Sequence, residues 1–194
     1  MRAFVALDVS PSVRPCIEAL ENELKPLLPS ARFVAASNLH FTLRFLGESD
    51  PGRVDALAEA LGEALSRIPA FTLDVKGCGA FPSARRPRIL WLSVANPPDS
   101  LFEAQREIER IVREAGFSPE ERPFEPHLTI ARFRGAAGSL ESILASVRDR
   151  ELGRTAVDEV VVYESRLSPR GSTYVPLHRL PLARAGGTGQ KRLV

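Results

Sequence analysis

Of 194 residues only three are histidine, two cysteine, one tryptophan and three lysine. Cys16 and Cys78 form neither a close pair nor a metal-site spacing, so neither a disulfide framework nor a zinc cluster organises the chain. Two buried thiols in a reducing compartment are the expectation. No apolar run approaches the ~20 residues of a membrane-spanning helix. The opening run, Phe4-Val5-Ala6-Leu7, is too short for a signal peptide. A cytoplasmic protein without a membrane partner is therefore expected. Also missing are Gly-x-x-x-x-Gly-Lys-Ser/Thr, Gly-x-Gly-x-x-Gly and Gly-x-Ser-x-Gly, which argues against a nucleotide triphosphatase, a dinucleotide enzyme and a serine hydrolase.

The net charge is only +2, so a polycationic surface is not implied. Lysine scarcity leaves arginine as nearly all the basic residues. Arginine suits bidentate phosphate recognition, although the bias equally follows from genomic base composition. An apolar fraction of 44% with 26% charged residues is that of one globular unit.

What the chain does contain is a short pattern used twice. Leu39-His40-Phe41-Thr42-Leu43 is echoed 87 positions later by Pro126-His127-Leu128-Thr129-Ile130. Three histidines and six threonines placed at random would give roughly 0.1 His-x-Thr matches, so a pair of them carries information. On a strand, residues two apart share a face. His40, Thr42 and Arg44 should therefore stand together, with Leu39, Phe41, Leu43 and Phe45 on the buried side. His127 and Thr129 should pair likewise, with Leu128 and Ile130 behind them. His178 lacks a threonine partner and reads as structural or surface.

Around these motifs the pattern gives about eight strands and four helices. A strand over 4–9 precedes a helix capped by Ser10, with Val13, Ile17, Leu20, Leu24 and Leu27 on one face. Asp50-Pro51 opens a second helix carrying Val54, Leu57, Leu61 and Leu65. Strands are expected over 32–35, 71–76, 89–95, 157–167 and 173–180, and helices from Asp99 to Gly116 and over 139–148. Residues 77–88 read as an arginine-bearing loop, as apt to track a phosphate backbone as to be a solvated connector. Strands that follow one another between helices indicate an α+β class with antiparallel sheet. The repeated motif suggests two half-molecules facing each other across a cleft.

Two imidazoles near neutrality supply one base and one acid at the same pH. The reaction that needs both, on opposite sides of one atom, is in-line displacement at phosphorus. The threonine hydroxyls are placed to donate to the non-bridging oxygens. A zinc site would want tighter spacing of ligands than either motif offers, so no metal and no cofactor is expected. A non-catalytic RNA or nucleotide binder would also suit such a cleft, but could dispense with either imidazole.

The residues carry a resemblance. His40-Phe41-Thr42-Leu43 and His127-Leu128-Thr129-Ile130 resemble the paired motifs of the 2H phosphoesterase superfamily. Phe4-Val5-Ala6-Leu7, Phe45-Leu46-Gly47, Gly79-Ala80-Phe81-Pro82, Arg122-Pro123-Phe124 and Val161-Tyr163-Glu164-Ser165 are similar to its RNA 2′,3′-cyclic phosphodiesterase branch, also called 2′-5′ RNA ligase. The resemblance implies a bilobal α+β fold over 1–182, two similar lobes of antiparallel sheet with helices on the outer faces and a central cleft. A disordered tail over 183–194 would follow. It implies metal-independent hydrolysis of RNA 2′,3′-cyclic phosphate ends, or of small cyclic-phosphate nucleotides, to 2′-phosphates, with reversible 2′-5′ ligation by the same groups. By carry-over His40 is the proton donor, His127 the proton acceptor, and Thr42 and Thr129 hold phosphate. An arginine after the second motif contacts phosphate in relatives, which points to Arg132. Simple alternation would put Arg132 beside Leu128 and Ile130, so it reaches the site only where the strand bulges or ends. Nothing in the sequence demands a partner subunit, so a monomer is expected. Base stacking would fall to aromatics such as Phe4, Phe81 or Tyr163.

Overall fold

The structure, a computed structural model, describes residues 1–135, 137–169 and 171–184. Among these, nine strands and four α-helices follow in the order β1 (Arg2–Asp8), α1 (Arg14–Leu24), β2 (Ala31–Phe33), β3 (His40–Glu48), α2 (Pro51–Leu65), β4 (Phe71–Phe81), β5 (Ile89–Ala95), α3 (Asp99–Glu114), β6 (His127–Phe133), α4 (Glu141–Val147), β7 (Glu151–Val157), β8 (Glu159–Ser168) and β9 (Gly171–Pro181).

Local chemistry sets most of these boundaries. Asp50 caps α2 by accepting the Arg53 N–H at 3.2 Å, Pro51 fills the first turn, and Val54, Leu57, Leu61 and Leu65 are buried. After α3, Gly116 takes φ +77°, the left-handed conformation that stops a helix. Ser10 does not cap α1. Its hydroxyl accepts the Ala156 N–H at 3.0 Å instead, and the helix starts at Arg14. Leu27, expected on the apolar stripe, lies past the end of α1 in a 3₁₀ turn and is exposed.

The sequence reading missed the second half of one strand, expected only over 71–76, and the whole of another. β4 runs on through the glycines to Phe81 because β5 pairs with it over residues 78–81, so only 82–88 remain a loop. In that loop Arg85 is engaged by Glu141 at 3.0 Å. β7 is built mainly from Gly153, Arg154, Thr155 and Ala156, residues with little strand signal, and is held by its ladder to β4.

The strands form one sheet in the order β7-β4-β5-β6-β3-β1-β8-β9, every neighbouring pair antiparallel, with β2 also laid against β6. The two lobes are the halves of this sheet, and a single register pair, Phe41 with Leu128, joins them. A row of apolar side chains crosses the seam from Leu7 through Phe41 and Leu128 to Leu92, none more than 1% exposed. It belongs to the main core, which α1, α2 and α3 cover with Ile17, Leu20, Leu57, Leu61, Leu101 and Ile108. The other face of the sheet carries a small separate cluster, Phe4, Ala6, Val161 and Tyr163. That face bears the site.

Cys78 is half-buried, and burial pushes its thiol up to about 11. Cys16 is exposed, contrary to expectation, because the helix face it occupies turns away from Ile17 and Leu20. Ala183, the first residue of the expected tail, bonds to Ile68 and Ala70. Residues 185–194 lie outside those described.

Candidate active site

β3 and β6 begin at the two motif histidines. In an antiparallel ladder the residues flanking a register pair come opposite each other. The Phe41–Leu128 pair therefore sets His40 across from Thr129 and Thr42 across from His127. All four are half-buried, whereas Phe41 and Leu128 are buried on the other face. The pairs of the sequence are thus brought into one patch at the seam of the sheet.

Both imidazoles are fixed in the same way. His40 Nδ1 lies 2.8 Å from the Asn38 carbonyl, and His127 Nδ1 lies 2.7 Å from the Glu125 carbonyl. A carbonyl only accepts, so each Nδ1 carries hydrogen and donates, leaving Nε2 for chemistry. Asn38 is itself held across the hairpin of β8 and β9, its amide donating to the Ser172 carbonyl at 2.7 Å.

Each motif strand also bulges at the same place. Val5 pairs with Arg44 but Ala6 with Thr42, which leaves Leu43 as the extra residue of β3. Leu90 pairs with Ala131 but Trp91 with Thr129, which leaves Ile130 as the extra residue of β6. A bulge of this kind shifts the alternation by one. Arg44 and Ala131 consequently turn into the core, and Phe45 and Arg132 turn out.

Two expectations fall on this point. Arg44 does not share the His40 face: it is 7% exposed, its Nε lies 2.7 Å from Glu109, and its guanidinium also donates to the Ser118 carbonyl. Phe45 does not join the core: it is 54% exposed and lies across from Phe4. Arg132 stands on the histidine face, near enough for its charge to act on His40.

Aromatic rings wall both imidazoles. Phe4 lies 4.8 Å from His40, reaching over the small Ala6, and Tyr174 meets the ring edge-on at 5.0 Å. Phe81 meets His127 edge-on at 5.1 Å, with Trp91 at 6.0 Å. Trp91 lies flat on Gly79, where a Cβ would come within 2.2 Å of the indole, so no other residue fits there. Phe4 and Tyr163, named as stacking candidates, are buried.

Burial in this aromatic setting lowers the His40 pKa. The charges of Arg132 and His127 act the same way, and the Asn38 carbonyl and Asp8 oppose them. Asp8 sits directly across from His40 on β1 and was not singled out by sequence. It accepts from the Tyr163 hydroxyl and lies 3.6 Å from Arg179. The corresponding neighbour of His127, on β5, is Ser93. His178 is away from the site, 2.7 Å from Asp55.

No group of three or more His, Cys, Asp and Glu is arranged as a metal cluster among the described residues. No helix there is long and apolar enough to cross a membrane. A cavity of about 560 Å³ opens between α2 and α3, but it contains none of the site residues. Its Arg67 and Arg110 are already paired with Glu63, Glu107 and Glu114.

Known proteins resemble this chain in sequence and fold. The family model of the 2′-5′ RNA ligase superfamily matches residues 7–168. The RNA 2′,3′-cyclic phosphodiesterase of Methanothermobacter thermautotrophicus is 31% identical over 91% of this chain and 96% of its own. That of Aeropyrum pernix is 37% identical over 79% and 87%. Among solved structures, E. coli LigT complexed with 3′-AMP superposes with a TM-score of 0.77 at 30% identity, covering 93% of this chain and 97% of that one. With most of its length matched, and both histidines on one seam, the chain belongs to the 2′-5′ RNA ligase superfamily, in its RNA 2′,3′-cyclic phosphodiesterase family.

Proposed function

We propose that the chain hydrolyses 2′,3′-cyclic phosphates at RNA ends, or on mononucleotides, to 2′-phosphates by two-histidine acid–base catalysis. The observation that carries this reading is the matched pair of imidazoles, each with Nδ1 on a backbone carbonyl two residues upstream and Nε2 without a hydrogen-bond partner among the described residues. The names of the relatives and the nucleotide bound to E. coli LigT support the substrate class.

His127 Nε2 takes a proton from water as the oxygen attacks phosphorus, and His40 Nε2–H gives a proton to the departing O3′. The P–O3′ bond breaks, the P–O2′ bond stays, and the product is a 2′-phosphate with a free 3′-hydroxyl. Thr42 and Thr129 donate to the non-bridging oxygens, and Arg132 balances the charge that builds there. In the free protein the lowered His40 is neutral at pH 7. An anionic cyclic phosphate offsets Arg132, so His40 takes up its proton as substrate binds. Replacing water by the 5′-hydroxyl of a second strand gives 2′-5′ ligation with the same groups.

The deciding experiment incubates the protein, in chelator, with an oligonucleotide ending in a 2′,3′-cyclic phosphate and locates the phosphate produced. Release of the 2′-phosphate is expected. A 3′-phosphate, or no turnover, would overturn the reading.

A further inference from the structure

The bulge in β3 sends Arg44 into the core, and Arg44 and Glu21 are the only charged side chains buried among the described residues. The matching position of β6 is Ala131, which needs no partner. A buried guanidinium is costly unless its donors are met, so where they go is informative. Its Nε lies 2.7 Å from Glu109 of α3, and one Nη donates to the Ser118 carbonyl. The other Nη donates to the Phe45 carbonyl at 2.7 Å and lies 3.8 Å from Glu120. Glu109 in turn accepts the Glu120 N–H at 3.2 Å.

Ser118 and Glu120 belong to the connection from α3 to β6, the stretch that delivers His127. Among the described residues no backbone–backbone hydrogen bond holds 118–126, and the β3–β6 ladder is a single register pair. Side chains hold the segment instead. Arg44 and Glu109 grip one end, and near the other Phe124 meets Phe102 of α3 edge-on at 6.2 Å. Pro119, Pro123 and Pro126 stiffen the span. At its far end is Glu125, whose carbonyl accepts the His127 Nδ1–H. The carbonyl that serves His40 has a separate anchor, Asn38 being tied to Ser172.

Resting on the reading above, we propose that Arg44 is a positioning residue for His127. It fixes the connection against β3 and α3, and the connection sets the Glu125 carbonyl. That carbonyl keeps hydrogen on Nδ1, so that Nε2 of His127 is the bare nitrogen a base needs. One strand thus carries His40 on one face and, through Arg44 on the other, governs the second imidazole.

The test reads the ring ¹⁵N shifts of histidine-labelled protein at about pH 8, where a neutral imidazole reports which nitrogen bears hydrogen. The wild type should show Nδ1–H at both His40 and His127. In Arg44→Met, His127 should gain the Nε2–H form while His40 keeps Nδ1–H. Turnover of adenosine 2′,3′-cyclic phosphate should fall by up to about 100-fold in kcat, with KM little changed. Arg44→Lys, which keeps a cation beside Glu109, should recover most of both. Should Arg44→Met not fold, Glu109→Asp draws the carboxylate back by one methylene with the charges still balanced, and should loosen His127 alone in the same way. A His127 tautomer unchanged in a folded variant, equal change at both rings, or an Nε2–H form of His127 already in the wild type would overturn the proposal. If wild-type protein turns over no cyclic phosphate, the catalytic reading fails, and the tautomers still decide the role of Arg44.

Discussion

Two lobes built to one plan have come to differ beside each histidine. Around His127 the neighbours are Ser93, Trp91 and Phe81. Around His40 they are Asp8, Phe4 and Tyr174. A carboxylate across the ladder favours a protonated imidazole, and at His40 it opposes the burial that lowers the pKa. The fold supplies two like imidazoles, and the strand next door gives only one of them a carboxylate neighbour.

The largest effects should fall on what the lobes share. His40→Ala and His127→Ala are each expected to cost about 10²- to 10⁴-fold in turnover of a 2′,3′-cyclic phosphate, the usual range for a positioned acid or base. Full activity in either would break the comparison at its root. Next comes the seam. Phe41→Ala removes the buried ring that pairs the lobes and should destabilise by about 3–5 kcal/mol in urea unfolding. A cost under 1 kcal/mol would mean that the lobes are held together elsewhere.

The differences between lobes should show more modestly. Arg132→Met should weaken substrate by roughly 10-fold or more, as for loss of a charged hydrogen bond. It should also raise the His40 pKa, since that guanidinium is among the causes lowering it. The proton donor's limb in kcat/KM, which reports the free enzyme, should lie below 6.5 in the wild type. Asp8→Asn should move it further towards acid, because Asp8 opposes the shift. An unmoved limb would remove Asp8 from the account. In stability, His40 contributes above pH 6.5 and loses that contribution as pH falls through its lowered folded value.

Glu21 makes the smallest prediction and lies outside the comparison, on α1. Burial raises its pKa to about 7. Its contribution is complete below the unfolded value of 4.5 and is lost as pH rises through 7. Glu21→Gln should therefore raise Tm more at pH 8 than at pH 5.

Spacing alone made the candidate patch legible. His-x-Thr on a strand puts two polar side chains on one face whatever the rest of the protein does, and their recurrence announced a pair. α2 was equally clear, since Asp50-Pro51 and an unbroken apolar stripe agree. What stayed hidden depends on partners distant in sequence. Leu43 and Ile130 are ordinary strand residues, and only their ladders to β1 and β5 show each to be one residue too many. Arg44 and Phe45 were consequently assigned to the wrong faces. A clue was available: an Arg132 expected in the site already required a break in alternation in β6, and the matching motif implied the same break in β3. Asp8 carries no local signal at all, being opposite His40 only because β1 and β3 are neighbours.

The hinge line between the halves has one further implication. With a lone backbone rung bridging β3 and β6, their mutual tilt is governed by the bulk of Leu7, Phe41, Leu128 and Leu92 wedged underneath. Spreading or narrowing that wedge would alter how the His40 and His127 rings are set relative to each other. The spacing of the two imidazoles is thus open to retuning from positions on the opposite face of the sheet.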